Sequence, residues 1–200
     1  MKKLLAIVFL ALVLYGIWWW FFKESTHQSG PKVEALKVGH HSNQFNQSIT
    51  NAVSSYLDIK AAFVEADSVK AKAMGVKFIS MLDSLKLDDL KKDTTGILSS
   101  AQAQMGDIKI NAESMIRQPN LLEMRQDFRM VTENFYPFLK TIHYEGPKLY
   151  LQNCPMAFGE GKDANWISNT EEIVNPYLGK KHPEFKATML HCGTIVDTIK

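Results

Sequence analysis

From Leu4 to Phe22 the chain runs for 19 residues without a charged side chain. As a helix rising 1.5 Å per residue, that run spans about 28 Å, close to the hydrocarbon thickness of a bilayer, so it predicts one membrane crossing. Lys2 and Lys3 precede it, which by the positive-inside rule keeps the N-terminus cytoplasmic. Trp18, Trp19 and Trp20 then fall near the far interface, where indoles prefer to sit. A secretory signal peptide begins in the same way but requires small residues at its cleavage site, and no A-x-A-like pair occurs around Glu24–Gly30. Both alternatives export the rest of the chain. The first is a single-pass inner-membrane protein with a periplasmic C-terminal domain; the second is a periplasmic protein released by cleavage.

About 178 residues remain, which fits one ordinary domain or a domain with a small appendage. Lys2 and Lys3 account for the formal charge of +2, and from Lys23 onward 21 Lys/Arg meet 21 Asp/Glu, so no basic nucleic-acid-binding face is indicated. The chain divides into residues 1–22 as anchor or signal, 23–42 as a polar tether broken by Ser29-Gly30-Pro31, 43–145 as helices, and 146–200 as a tail. His40-His41, at the end of the tether, reads as a solvated pair.

The helices follow from apolar spacing. Phe45, Ile49, Val53, Tyr56, Leu57 and Phe63 form one stripe, and Ala71, Met74, Phe78, Met81 and Leu85 a second. Gly75 inside the second costs about 1 kcal/mol relative to Ala. Lys86–Gly96 reads as a connection. A third stripe, Leu98, Ala101, Met105, Ile108, Ala112 and Met115, stops at Gln118-Pro119, because proline disfavours helical geometry in the residue before it. Asn120 with Glu123 three residues on forms a capping box for a fourth helix carrying Leu121, Met124, Phe128, Val131, Phe135, Phe138 and Ile142, which Pro137 should kink or shorten. The expected fold is mainly α: an antiparallel four-helix bundle preceded by one membrane helix and followed by a small β-containing Cys/Met tail. The Met and Phe positions are read as core.

After Gly146-Pro147 the pattern changes. Residues 148–152 and 193–199 are rich in aromatic and β-branched residues, as half-buried strands are, and they bracket an irregular stretch. Cys154-Pro155-Met156 follows the first strand, and Met189-Leu190-His191-Cys192 precedes the second. If the strands pair, four sulfurs converge. Thiolates and thioethers favour Cu(I), and His191 or His182 adds an imidazole; zinc fits less well, because methionine is a poor ligand for it. Against a metal stands a Cys154–Cys192 disulfide, the common fate of a lone cysteine pair in an oxidising compartment. The residues leave both alternatives open.

Tyr150-x-x-x-Cys154-Pro155-Met156-Ala157, Trp166-Ile167-Ser168, Ile173-x-Asn175-Pro176-Tyr177-x-Gly179 and Met189-Leu190-x-Cys192-Gly193 together resemble the bacterial envelope family catalogued as domain of unknown function 3347. The likeness covers roughly Gln44–Ile199, and the chain departs from the pattern by a longer connection, Lys180–Thr188. The resemblance implies export, a helical region before the motifs, and an association with metal resistance, since relatives of this tail occur on periplasmic adaptor subunits of copper and heavy-metal efflux systems. It implies no demonstrated activity.

Taken singly, the remaining motif residues read as structural. Trp166 is an apolar plug whose indole N–H should find a carbonyl; Asn175-Pro176-Tyr177 is a turn; Gly159, Gly161 and Gly193 permit tight backbone paths. Gly-Glu-Gly at 159–161 lacks the lysine and helix of a phosphate loop. Cys154 with His143 or His191 would be the nucleophile and base of an enzyme, but no positioning motif supports that thiol chemistry, and no Cys-x-x-Cys is present. The expectation is a non-enzymatic, exported, membrane-anchored protein that binds a soft metal, Cu(I), as an accessory to efflux. The alternative is an envelope interaction module closed by a disulfide, with a heavy-metal efflux adaptor or another envelope protein as partner.

Overall fold

The computed structural model describes Tyr15, residues 40–92 and residues 96–200. Apart from Tyr15, the expected anchor and the tether up to residue 39 lie outside the described residues. Among the described residues no helix is long and apolar enough to cross a membrane. The helices and the sheet belong to the unit Val38–Lys200.

Four α-helices form where the apolar stripes fall: α1 Asn43–Val64, α2 Ser68–Asp83, α3 Ile97–Arg117 and α4 Leu121–Thr141. Ser42 and Asp67 cap α1 and α2 by accepting from the amides of Phe45 and Lys70. At α4 the Glu123 amide donates to Asn120 Oδ1 at 3.0 Å, and the Glu123 carboxylate accepts from the Asn120 side-chain amide at 3.0 Å, so the box closes side chain to side chain.

Three local expectations are corrected. The helix α4 runs through Pro137 to Thr141 without being shortened; Pro137 lies on the exposed face, where water can replace the donor lost to the Glu133 carbonyl. The connection after α2 contains a 3-10 helix, Leu87–Lys92, whose Leu87 and Leu90 are buried. The end of the tether is held: His41 is buried and its Nε2 lies 2.7 Å from the Ile142 carbonyl, while the His40 side chain is 99% exposed. Glu145 accepts from the His41 amide and the Asn46 side chain, and Asp89 accepts from the Ser42 amide. Burial pushes the Glu145 carboxyl upward, but its hydrogen bonds to Asn46, His41 and His40 outweigh that and hold it below its ordinary range.

The tail forms a three-stranded antiparallel sheet, β1 Leu149–Cys154, β2 Ala164–Ser168 and β3 Thr194–Ile199, in the order β2-β1-β3. β1 pairs with β2 from Tyr150↔Ser168 to Cys154↔Ala164, and with β3 from Leu149↔Ile199 to Asn153↔Thr194, with an irregularity at Leu151/Gln152. β2 falls in the stretch expected to be irregular. It is buried on nearly every residue, so the alternation that marks a half-buried strand is missing from its sequence.

Tyr56 ties the parts together. The Ile167 amide of β2 donates to its hydroxyl oxygen at 3.1 Å; that hydroxyl lies 2.6 Å from Thr132 Oγ1 of α4, which donates to the Phe128 carbonyl at 3.1 Å. The Tyr56 ring stacks on Phe128 at 4.9 Å and meets Phe135 at 5.5 Å. At the other seam, a Cβ on the buried Gly75 would lie 2.5 Å from Ile116 Cγ2 and 2.9 Å from Met115 Cε, so the absent side chain sets the approach of α2 to α3.

Two substitutions test this packing by urea denaturation. Tyr56→Phe leaves the Ile167 amide and the Thr132 hydroxyl short of a partner and is expected to cost about 1–3 kcal/mol. Gly75→Ala gains about 1 kcal/mol in helix propensity but overpacks a seam against the stiff Ile116, at about 1–3 kcal/mol; the expected sign is net destabilisation.

Candidate functional site

Because β1 and β3 pair near Asn153↔Thr194, Cys154 at the end of β1 comes to face Cys192 just before β3. The two sulfurs lie 2.7 Å apart, both as thiols, with Cys154 wholly buried and Cys192 half-buried. Burial and the neighbouring Cys154 sulfur push the Cys192 thiol up to about 12. At neutral pH it is a protonated thiol and a poor nucleophile. The spacing discriminates further. A disulfide sets its sulfurs about 2.05 Å apart, whereas two sulfurs bound at about 2.3 Å to one tetrahedral ion stand about 3.8 Å apart.

The other candidate ligands are engaged elsewhere. His182 Nδ1 accepts from the amides of Glu184 and Phe185 at 3.3 and 3.2 Å, and its ring stacks on Phe185 at 4.9 Å. Burial, and then the Arg125 charge, lower its pKa. His191 Nδ1 lies 2.7 Å from the Ile173 carbonyl. His182 and Met156 line one depression and His191 another. Met156 and Met189 are half-buried and pack against the core. Among the described residues no group of three or more His, Cys, Asp or Glu is placed to hold a metal ion. Of the candidate ligands, Cys154 and Cys192 are brought into direct contact.

The remaining motif residues build the loop that frames this pair. Asn175 is buried; its Oδ1 accepts from the amides of Tyr177 at 2.8 Å and Leu178 at 3.0 Å, its Nδ2 donates to the Cys192 carbonyl at 2.9 Å, and its own amide donates to the Leu190 carbonyl at 2.8 Å. One side chain thus joins the turn to the chain carrying the second cysteine. Pro176 and Tyr177 are buried beside it, and the Tyr177 hydroxyl donates to the Asn165 carbonyl. Trp166 is fully buried edge-on to Tyr177, but its indole N–H has no partner, against expectation: it is an apolar plug alone. Gly179, at φ +59, has space for no Cβ, which would lie 2.9 Å from Val64 O and 2.9 Å from Arg125 Nη2. At Gly193 a Cβ would lie 2.7 Å from the Asn153 carbonyl. Tyr150 donates to the Glu171 carboxylate at 2.9 Å, and Pro155 is exposed at the turn after β1.

Two buried cations were not singled out from the sequence. Lys60 donates to Ser168 Oγ at 3.0 Å, and burial, partly offset by the Glu172 charge, lowers its pKa to about 8. Arg125 donates through Nη2 to the Phe63 carbonyl at 2.7 Å. A signal was present for both. Lys60 lies four residues after Tyr56 and three before Phe63; Arg125 lies four after Leu121 and three before Phe128. Each is a cation in phase with an apolar stripe, a position that helical geometry turns inward.

For Lys60 the folded pKa lies below the ordinary lysine value of about 10.4. Between pH 8 and that value the unfolded chain binds more protons than the folded one, so stability rises with pH across this window. Below pH 8 the buried charge is a cost. Denaturation from pH 7.5 to 10 is expected to show a gain of about 1–3 kcal/mol that Lys60→Met lacks.

Residues 52–145 match the family described as Protein of unknown function (DUF3347). No curated protein matches the chain, and no solved structure matches it. The matched segment runs from within α1 to just past α4, so the helices carry the match and the motifs between Tyr150 and Gly193 lie C-terminal to it. Over residues 52–145, a little under half of its length, the chain is similar to the DUF3347 family.

Proposed function

We propose that this chain is an exported, membrane-anchored envelope protein without enzymatic chemistry. Its four helices, taken as an antiparallel bundle, serve as scaffold, and its tail is an interaction module closed by a Cys154–Cys192 bridge. The observation that carries this reading is the 2.7 Å approach of two facing sulfurs, one of them wholly buried. Export through the apolar N-terminal run delivers the pair to an oxidising compartment. There the two thiols lose two protons and two electrons to an oxidant of the disulfide-exchange class. The bridge closes a separation of 38 residues, which stabilises the fold by roughly 4 kcal/mol in the chain-entropy account.

A Cu(I) role as an accessory to heavy-metal efflux draws its support from the soft donors themselves and from Met156 and His182 lining one depression. The sulfur spacing favours the cystine instead. Counting thiols in chain purified without reductant, after denaturation, distinguishes the two. The expected result is no free thiol, a lower Tm after reduction, and no competition with a chromogenic Cu(I) chelator. Two free thiols, with copper binding that weakens in Met156→Ala, would replace this reading by the metal one.

A further inference from the structure

A depression of about 480 Å³ opens beside the start of α4, walled by Leu122, Met156, Phe158, Tyr177 and Phe185, with Arg125 in its lining. That volume is in the range of small-molecule sites. Arg125 is 5% exposed. Its single hydrogen bond among the described residues goes to the Phe63 carbonyl, its Nε is buried without a partner, and it takes part in none of their ion pairs. Burial lowers its pKa to about 10, so the guanidinium stays charged at neutral pH. A buried cation without a counter-charge is costly, and its retention calls for an anion from outside the fold. The other charged residues of the lining are Lys181, Glu160 and Glu184, all exposed, together with His182.

The walls describe the rest of the ligand. Phe158 and Tyr177 have ring centroids 5.3 Å apart, and Phe158 and Phe185 are only half-buried. Phe158 and Phe185 offer partly exposed apolar surface. A bare inorganic ion would leave that surface unused, whereas an uncharged apolar molecule would leave the guanidinium unpaired.

We propose that this depression binds a small amphiphilic carboxylate, its carboxylate facing Arg125 and its apolar body lying against Phe158, Tyr177 and Phe185. The planar guanidinium fork suits a carboxylate through two parallel hydrogen bonds. This site is separate from the cysteine pair and stands whether or not Cys154 and Cys192 are bridged.

Calorimetry on the full chain in lipid nanodiscs, with empty nanodiscs as reference, tests it with 4-phenylbutyrate, 4-phenylbutanol, acetate and inorganic phosphate as probes. The acid is expected to bind at least tenfold more tightly than the alcohol, acetate or phosphate, and Arg125→Gln to lose that advantage. Because Arg125→Gln removes a buried bond and can fail to fold, Leu122→Glu on the exposed lip gives an independent reading; its added negative charge should weaken the acid at least tenfold more than the alcohol, which loses only apolar contact. Equal affinity for acid and alcohol, phosphate binding as tight as the acid, or no binding of the acid at millimolar concentration would overturn the assignment, as would acid affinity unchanged in a folded variant.

Discussion

A phenol buried between helices and sheet has to be satisfied on both sides of its oxygen. At Tyr56 the Ile167 amide supplies one partner and Thr132 the other, which relays to the Phe128 carbonyl. Burial raises the Tyr56 pKa well above the ordinary phenol value, so the group remains a neutral hydroxyl that both donates and accepts. The relay has a consequence for the sheet. β2 is an outer strand, and one of its amides is taken by a helix side chain, so that edge is bound to the scaffold. The aromatic rings around Tyr56 fill the space between α1 and α4 and fix how far apart those helices stand.

The same dependence recurs at the end of α1. Its terminal carbonyls at Phe63 and Val64 are met by Arg125 of α4 and by the Lys180 amide of the tail. Gly179 is the residue that lets the tail come this close, since any side chain there would strike the same carbonyls. Asn175 then transmits the position of that turn to the Cys192 carbonyl. The cysteine pair is therefore held by β-pairing on one side and by a buried, hydrogen-bonded turn on the other. The helices and the tail share one hydrophobic core, with Tyr177 meeting both Phe128 and Trp166.

The helices were legible because their apolar residues recur at spacings of three and four, and because Asn120 and Pro119 mark a boundary by local stereochemistry. The strands β1 and β3 were legible from β-branched and aromatic runs, while β2 was not, because burial on both faces removes the alternating pattern. Among the candidate ligands, the meeting of Cys154 and Cys192 followed from strand pairing that the sequence suggested. The dispersal of His182 and His191 did not, because it depends on which depressions their loops line. The partnerless Trp166 indole was also hidden: whether a buried N–H finds a carbonyl is decided by a few tenths of an ångström of packing.

By itself the sequence determined a mainly helical chain, a β-containing tail, the boundary and cap at Pro119-Asn120, and two cysteines beside strand-like runs, since all of these rest on periodicity and local backbone preference. Only the tertiary structure decided which polar groups are buried together. It placed Tyr56 between Thr132 and Ile167, aimed Asn175 at Cys192, and set Arg125 in the lining of a depression with no ion-pair partner among the described residues. The physical reason is range. Helical and strand periodicity acts over a few residues, whereas the partners of Tyr56 in the relay lie 76 and 111 residues away, and no local preference encodes a meeting at that distance.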